Sequence, residues 1–125
     1  MRNAFPGNPL AAMHEFSIMQ SALELAEQKT RAAGATQIHR LTLRVGALSG
    51  VVPAALRFAF DALQENSIAA GAVFAIEEIS AAGWCAECAL EFPVAGVLYE
   101  CPRCHQPSGV LRRGKEMELS SLEIS

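Results

Sequence analysis

No stretch of this 125-residue chain approaches the run of about 20 apolar residues that crosses a bilayer, so a membrane-spanning protein is not expected. A secretory leader is missing too: Pro6, Gly7 and Pro9 interrupt the few apolar positions of the first twelve residues, where a signal needs a continuous apolar core of about 7–15 residues. Without export the expected compartment is the reducing cytoplasm, where paired cysteines hold metal more often than they form disulfides. Positive charge is scarce. Ten Lys and Arg against thirteen Asp and Glu give a net charge of −3 and a pI near 5.6, which provide no global attraction to a phosphate backbone. Only a local cluster, Arg103, Arg112, Arg113 and Lys115, could act on nucleic acid. There is no internal repeat beyond the cysteine pairs. Apolar residues are not lacking: at 51% hydrophobic the chain can bury a core, and its length allows one main domain with a small appended module.

The four cysteines form two pairs, Cys85/Cys88 and Cys101/Cys104. In each pair one tight turn can aim both thiolates at the same tetrahedral ion, and the intervening chain suffices for a hairpin that brings the pairs together. Disulfides, a redox pair and a rubredoxin-like iron site are the alternatives; Pro102 inside the second pair and Gly96 in the hairpin favour zinc. Residues 84–109 contain Pro93, Pro102 and Pro107 and only short apolar runs at 90–94 and 97–99, too small for a core. Zinc binding of about 10–16 kcal/mol can order such a module. A closed shell of four thiolates leaves no position for a substrate, so this zinc is expected to be structural.

Far upstream lies Met13-His14-Glu15. Imidazole and carboxylate side by side near a chain start suit a borderline metal such as nickel. From composition alone they better suit the first turn of a helix, where a carboxylate interacts favourably with the dipole. If translation starts at Met13, the α-amine, the deprotonated His14 amide and the His14 imidazole form fused chelate rings of the nitrogen-rich, tetragonal kind that nickel favours. His105, directly after Cys104, is either a surface histidine or an imidazole that enters a metal shell transiently or titrates near neutrality. His39 reads as structural or solvated.

The pattern along the chain predicts an irregular arm over 1–12 and a helix over 16–33, with Ile18, Ala22 and Leu25 in one row, Met19, Leu23 and Ala26 in the next, and Gly34 as its stop. Residues 40–45 alternate as a half-buried strand, with Leu41, Leu43 and Val45 on one face. After a connection marked by Gly46, Ser49 and Gly50, Pro53 opens a second helix with Leu56, Phe60 and Leu63 facing the core. Residues 73–79 read as a second strand, and Ala81-Ala82-Gly83 as a hinge. Residues 117–124 alternate again, with a slip of phase that a bulge near Ser120-Ser121 explains. A lone terminal strand is unstable, so this one is expected to join the first sheet, making the cysteine segment an insertion.

Several segments together, Met-His-Glu-Phe-Ser-Ile (13–18), Leu-Arg-Val-Gly-Ala-Leu-Ser-Gly (43–50), Ala-Leu-Arg-Phe-Ala-Phe-Asp (55–61), Cys-Pro-Arg-Cys-His (101–105) and the closing Gly-Lys-Glu-Met-Glu-Leu-Ser-Ser-Leu-Glu-Ile (114–124), resemble the HypA/HybF family of nickel metallochaperones for nickel-iron hydrogenase maturation. The likeness covers residues 13–125. It implies an α/β (α+β) fold, two helices packed on a three-stranded sheet with an inserted zinc-ribbon module, the nickel domain being 13–82 plus 114–125 and the ribbon 83–113. His14 corresponds to the family's nickel-ligating histidine, with Met13 and Glu15 completing or supporting the site; Cys85, Cys88, Cys101 and Cys104 correspond to its zinc ligands, and His105 to a histidine near the zinc in some members. The implied cargo and cofactor are Ni(II) and Zn(II). The implied partners are a HypB-type GTPase, a nickel-iron hydrogenase large-subunit precursor and, in some organisms, urease maturation proteins, with neither nucleic acid nor membrane; the implied state is a monomer or weak homodimer, and no enzymatic activity is expected. Two departures stand out: the twelve residues before Met13 are foreign to the family, and the loop 50–53 lacks the carboxylate that many members carry before the proline.

Overall fold

The computed structural model describes residues 11–94, 99–107 and 109–125. The hairpin residues Gly96 and Val97, residues 1–10 of the expected arm and the side chains of 11–13 lie outside the description. Helix α1 spans Ala11–Ala32, so it begins earlier than the expected residue 16, inside the stretch read as an arm. Pro9 is the last helix breaker, and Ala11 and Ala12 are the strongest helix formers, so the helix extends back through Met13-His14-Glu15. Its end is as expected. Gly34 takes φ +79°, its N–H donates to the Arg31 carbonyl, and the Ala35 N–H donates to that of Thr30 at 3.0 Å, the paired bonds of a Schellman stop.

The main sheet has the order β2-β1-β6, with β1 at Ile38–Gly46, β2 at Val73–Ile79 and β6 at Met117–Ile124. β1 and β2 are parallel, joined through helix α2, Pro53–Leu63, with Pro53 in its first turn. β6 runs antiparallel to β1, so the last strand does return to the first sheet. The expected bulge is present: Thr42 faces Ser121 while Leu43 faces Leu119, which leaves Ser120 unopposed, its hydroxyl donating to the Thr42 carbonyl. A second slip, around His39, had no signal in the pattern. The core is a single apolar layer between helices and sheet: Ile18, Met19, Ala22 and Ala26 of α1, Leu41, Leu43 and Val45 of β1, and Leu56, Ala59 and Phe60 of α2.

A second sheet, order β4-β3-β5, is built from Ala82–Cys85 (β3), Leu90–Pro93 (β4) and Leu111–Arg113 (β5). This corrects the reading of Ala81-Ala82-Gly83 as a hinge. Ala82 and Gly83 belong to the central strand, bonded on both sides. Small residues serve close approach there: a Cβ on Gly83 would lie 2.7 Å from the Phe92 ring. The link from β5 to β6 is tied to the end of β1 where the Leu48 N–H donates to the Gly114 carbonyl at 2.6 Å.

Candidate metal centre

Two short turns set the cysteines. Residues 86–89 turn between β3 and β4, and 102–104 form the matching turn of the second pair. In both, the residue after the second cysteine takes a left-handed backbone: Ala89 at φ +48° and His105 at φ +62°. The Cys101 carbonyl accepts the His105 N–H at 2.8 Å, and the Cys101 N–H donates to the Gln106 carbonyl at 3.1 Å. The Arg103 N–H points at the Cys101 sulfur, 3.4 Å away.

These turns bring all four Sγ atoms within 4.8 Å of one another. A tetrahedral ion with metal–sulfur bonds of about 2.3 Å requires sulfurs about 3.8 Å apart, and the Cys85 and Cys104 sulfurs are 3.7 Å apart. The cage therefore fits a zinc-sized ion. All four thiols are free, and their separation is far beyond the roughly 2.05 Å of a disulfide. Cys85 and Cys101 are buried beside Phe92, with Leu90, Val94 and Tyr99 packed around them. Phe92 is the one fully buried residue in this cluster that is not a cysteine, so the unit has little apolar core of its own among the described residues.

Burial and hydrogen bonding spread the acidities of three of the thiols. The Cys104 backbone N–H, helped by that of Arg103, draws Cys101 from 9.0 down to about 7 against desolvation. Burial first, then hydrogen bonds with the other three sulfurs, pushes Cys88 up to about 12. At Cys104 the Gln106 backbone N–H is the largest single influence and lowers the value, but burial and the Cys85 and Cys101 thiols together outweigh it and raise it.

His105 stands outside this sulfur group, exposed at the surface. The basic cluster nearby is partly consumed within the unit: the Arg112 guanidinium lies over the Trp84 ring at 4.0 Å, and Arg113 pairs with Glu91 at 2.8 Å. His39 is exposed, with Nε2 2.6 Å from the Ser125 hydroxyl, in keeping with a structural or solvated role.

The upstream triplet lies in the first turns of α1. His14 is half-buried. Glu15, by contrast, is 1% exposed; its Oε2 accepts the Val52 N–H at 2.6 Å, and its Oε1 has no hydrogen-bond partner among the described residues. The sequence reading missed this contact. Its signal was Ala55 two places after Pro53, a third helical position with no side-chain acceptor for the N–H of the N-cap residue Val52.

The comparisons agree with this geometry. Residues 13–124 match the family model described as HypA, hydrogenase/urease nickel incorporation, metallochaperone. The hydrogenase maturation factor HypA of Picosynechococcus sp. is 42% identical over 112 residues, covering 90% of this chain and 99% of that protein. Its counterpart in Chloroflexus aurantiacus is 40% identical, over 89% and 98%. The solution structure of the Ni metallochaperone HypA from Helicobacter pylori superposes with a TM-score of 0.64 at 26% identity, covering 88% of this chain and 96% of that one. A further solution structure of a HypA protein reaches a TM-score of 0.69 at 28% identity, covering 90% and 97%.

Proposed function

On the premise that this chain belongs to the HypA family of nickel-incorporation metallochaperones, we propose that it captures Ni(II) at His14 and hands it on for the maturation of a nickel-iron hydrogenase. Met13 and Glu15 complete or support that site. Cys85, Cys88, Cys101 and Cys104 hold a resident Zn(II), which supplies no chemistry beyond cross-linking the two turns; His105 is the accessory imidazole beside it. In this reading 13–82 with 114–125 form the nickel unit and 83–113 the zinc ribbon. The protein acts in the cytoplasm as a carrier and not an enzyme. Its partners are a HypB-type GTPase, the hydrogenase large-subunit precursor and, where present, urease maturation proteins.

The observation that carries the reading is the separation of the two donor sets. Four sulfurs close on one another with His14 outside their shell, so an ion held at His14 is a second ion, bound by few protein ligands and easily released. Engagement of Arg112 and Arg113 within the cysteine unit weighs against a nucleic-acid module.

Titration of the zinc-loaded chain with Ni(II) tests this. One nickel per chain is expected, lost in His14→Ala while zinc stays; a His14→Ala protein that binds nickel as well as the parent, or nickel that displaces zinc from the thiolates, defeats the reading. A chain starting at Met13 is expected to bind more tightly than one starting at Met1, because its terminal amine joins the imidazole.

A further inference from the structure

Helix α2 has no cap of its own. Its N-cap residue is Val52, without a side-chain acceptor, and Pro53 follows. The third helical position, where a glutamate would reach back to the N-cap N–H in a capping box, is Ala55. That N–H is instead taken by Glu15 Oε2, from 37 residues earlier. A carboxylate from one helix thus supplies the glutamate half of a capping box to another. The arrangement also places a buried negative charge at the positive end of the α2 dipole.

Consecutive residues of a helix point about 100° apart. Glu15 therefore turns into the molecule while half-buried His14 points about a quarter-turn round the helix from it. Glu15 Oε1 is enclosed and without a partner among the described residues, so it cannot join the shell of a solvent-accessible ion unless Glu15 first lets go of α2. Resting on the reading of His14 as the nickel ligand, we infer that Glu15 is a positioning residue: it caps α2 from α1 and so fixes the turn that carries His14, without touching the ion. The site's rigidity then comes from the junction of two helices, and its openness from having few direct ligands.

The test titrates the zinc-loaded full chain with Ni(II) alone, following the nickel absorption spectrum and, separately, the melting temperature. Glu15→Gln keeps an amide oxygen for the Val52 N–H, so nickel affinity is expected within about three-fold of the parent, with an unchanged spectrum. Glu15→Ala is expected to weaken nickel binding about ten- to hundred-fold, the range for groups that orient metal ligands. Adding Ala55→Glu to Glu15→Ala gives α2 a cap on its own helix; melting temperature should recover while nickel affinity stays low. If Glu15→Gln loses nickel as His14→Ala does, the carboxylate is a ligand and the inference falls. If Ala55→Glu rescues both measurements, Glu15 only stabilises the fold, and the inference falls in that way too. A His14→Ala protein that still binds nickel fully overturns the underlying site as well, an outcome separate from the other two.

Discussion

Ala89 and His105 bear the same backbone demand at equivalent places, each just after the second cysteine of its pair, with φ of +48° and +62°. A left-handed backbone costs a residue with a Cβ roughly 1–2 kcal/mol, and alanine has no polar side chain with which to offset it. Ala89→Gly removes that strain but adds backbone entropy to the unfolded chain, about 0.5–1 kcal/mol, so the zinc-loaded variant is expected to melt no lower than the parent. Ala89→Val adds a β-branched side chain where it fits worst and should cost at least about 1–2 kcal/mol. Thermal melts followed by Trp84 emission, the only tryptophan, read both; a Val variant as stable as the parent would disprove the strain. The spacing of Cys85, Cys88, Cys101 and Cys104 was enough to find the cage. What it hid was backbone: His105 was read for its imidazole, whereas the turn after Cys104 uses its conformation. Gly46 was read as a loop marker, whereas a Cβ there would fall on the Gly114 carbonyl, a contact made only after 68 further residues have folded back.

Elements with a strong period were legible: β1, β6 and the core face of α2 follow their apolar pattern, β2 showed by its β-favouring residues, and even the bulge at Ser120 showed as a slip of phase. The second sheet was not. β5 is three residues long, Leu111–Arg113, too short to show a period, and β3 opens on Ala82 and Gly83, the latter leaving room for the Phe92 ring. These strands lack an apolar layer of their own, and that decides their response to metal removal. With Phe92 the one residue besides two cysteines buried in its apolar cluster among the described residues, the unit is expected to depend on an ion contributing about 10–16 kcal/mol. Chelation is therefore expected to shift Trp84 emission to that of an exposed indole and abolish the Arg112 contact. α1, α2 and the β2-β1-β6 sheet should survive, because the segment between β2 and β6 then becomes a loop whose closure entropy grows only slowly with length. Helical circular dichroism that collapses together with the Trp84 signal would show one cooperative unit instead.

Across the whole molecule, the two donor sets differ in what they must give up to bind an ion. Each cysteine has to be a thiolate to join a zinc shell, and the cluster of thiols holds its protons unevenly: Cys88 up to about 12, Cys104 above its ordinary value, Cys101 down to about 7. Cys101, depressed, stabilises the fold fully above its ordinary 9.0 and loses that contribution as pH falls through about 7. Cys88, raised, stabilises it fully below 9.0 and loses that contribution as pH rises through about 12. Loading zinc near neutrality must expel the protons of Cys88 and Cys104, and below about pH 7 that of Cys101 as well. Zinc affinity should therefore fall by about two orders of magnitude or more per pH unit on acidification, and faster once Cys101 is protonated. Competition against a chromophoric chelator of known pH dependence, between pH 6 and 7.5, measures the slope. A shallow slope, one order of magnitude per pH unit or less, would mean that the thiols are already ionised before the metal arrives, with the Cys101–Cys104 turn lowering more than one of them. A steep slope means that the ion itself drives out the protons, so acid releases the metal from the sulfur cage.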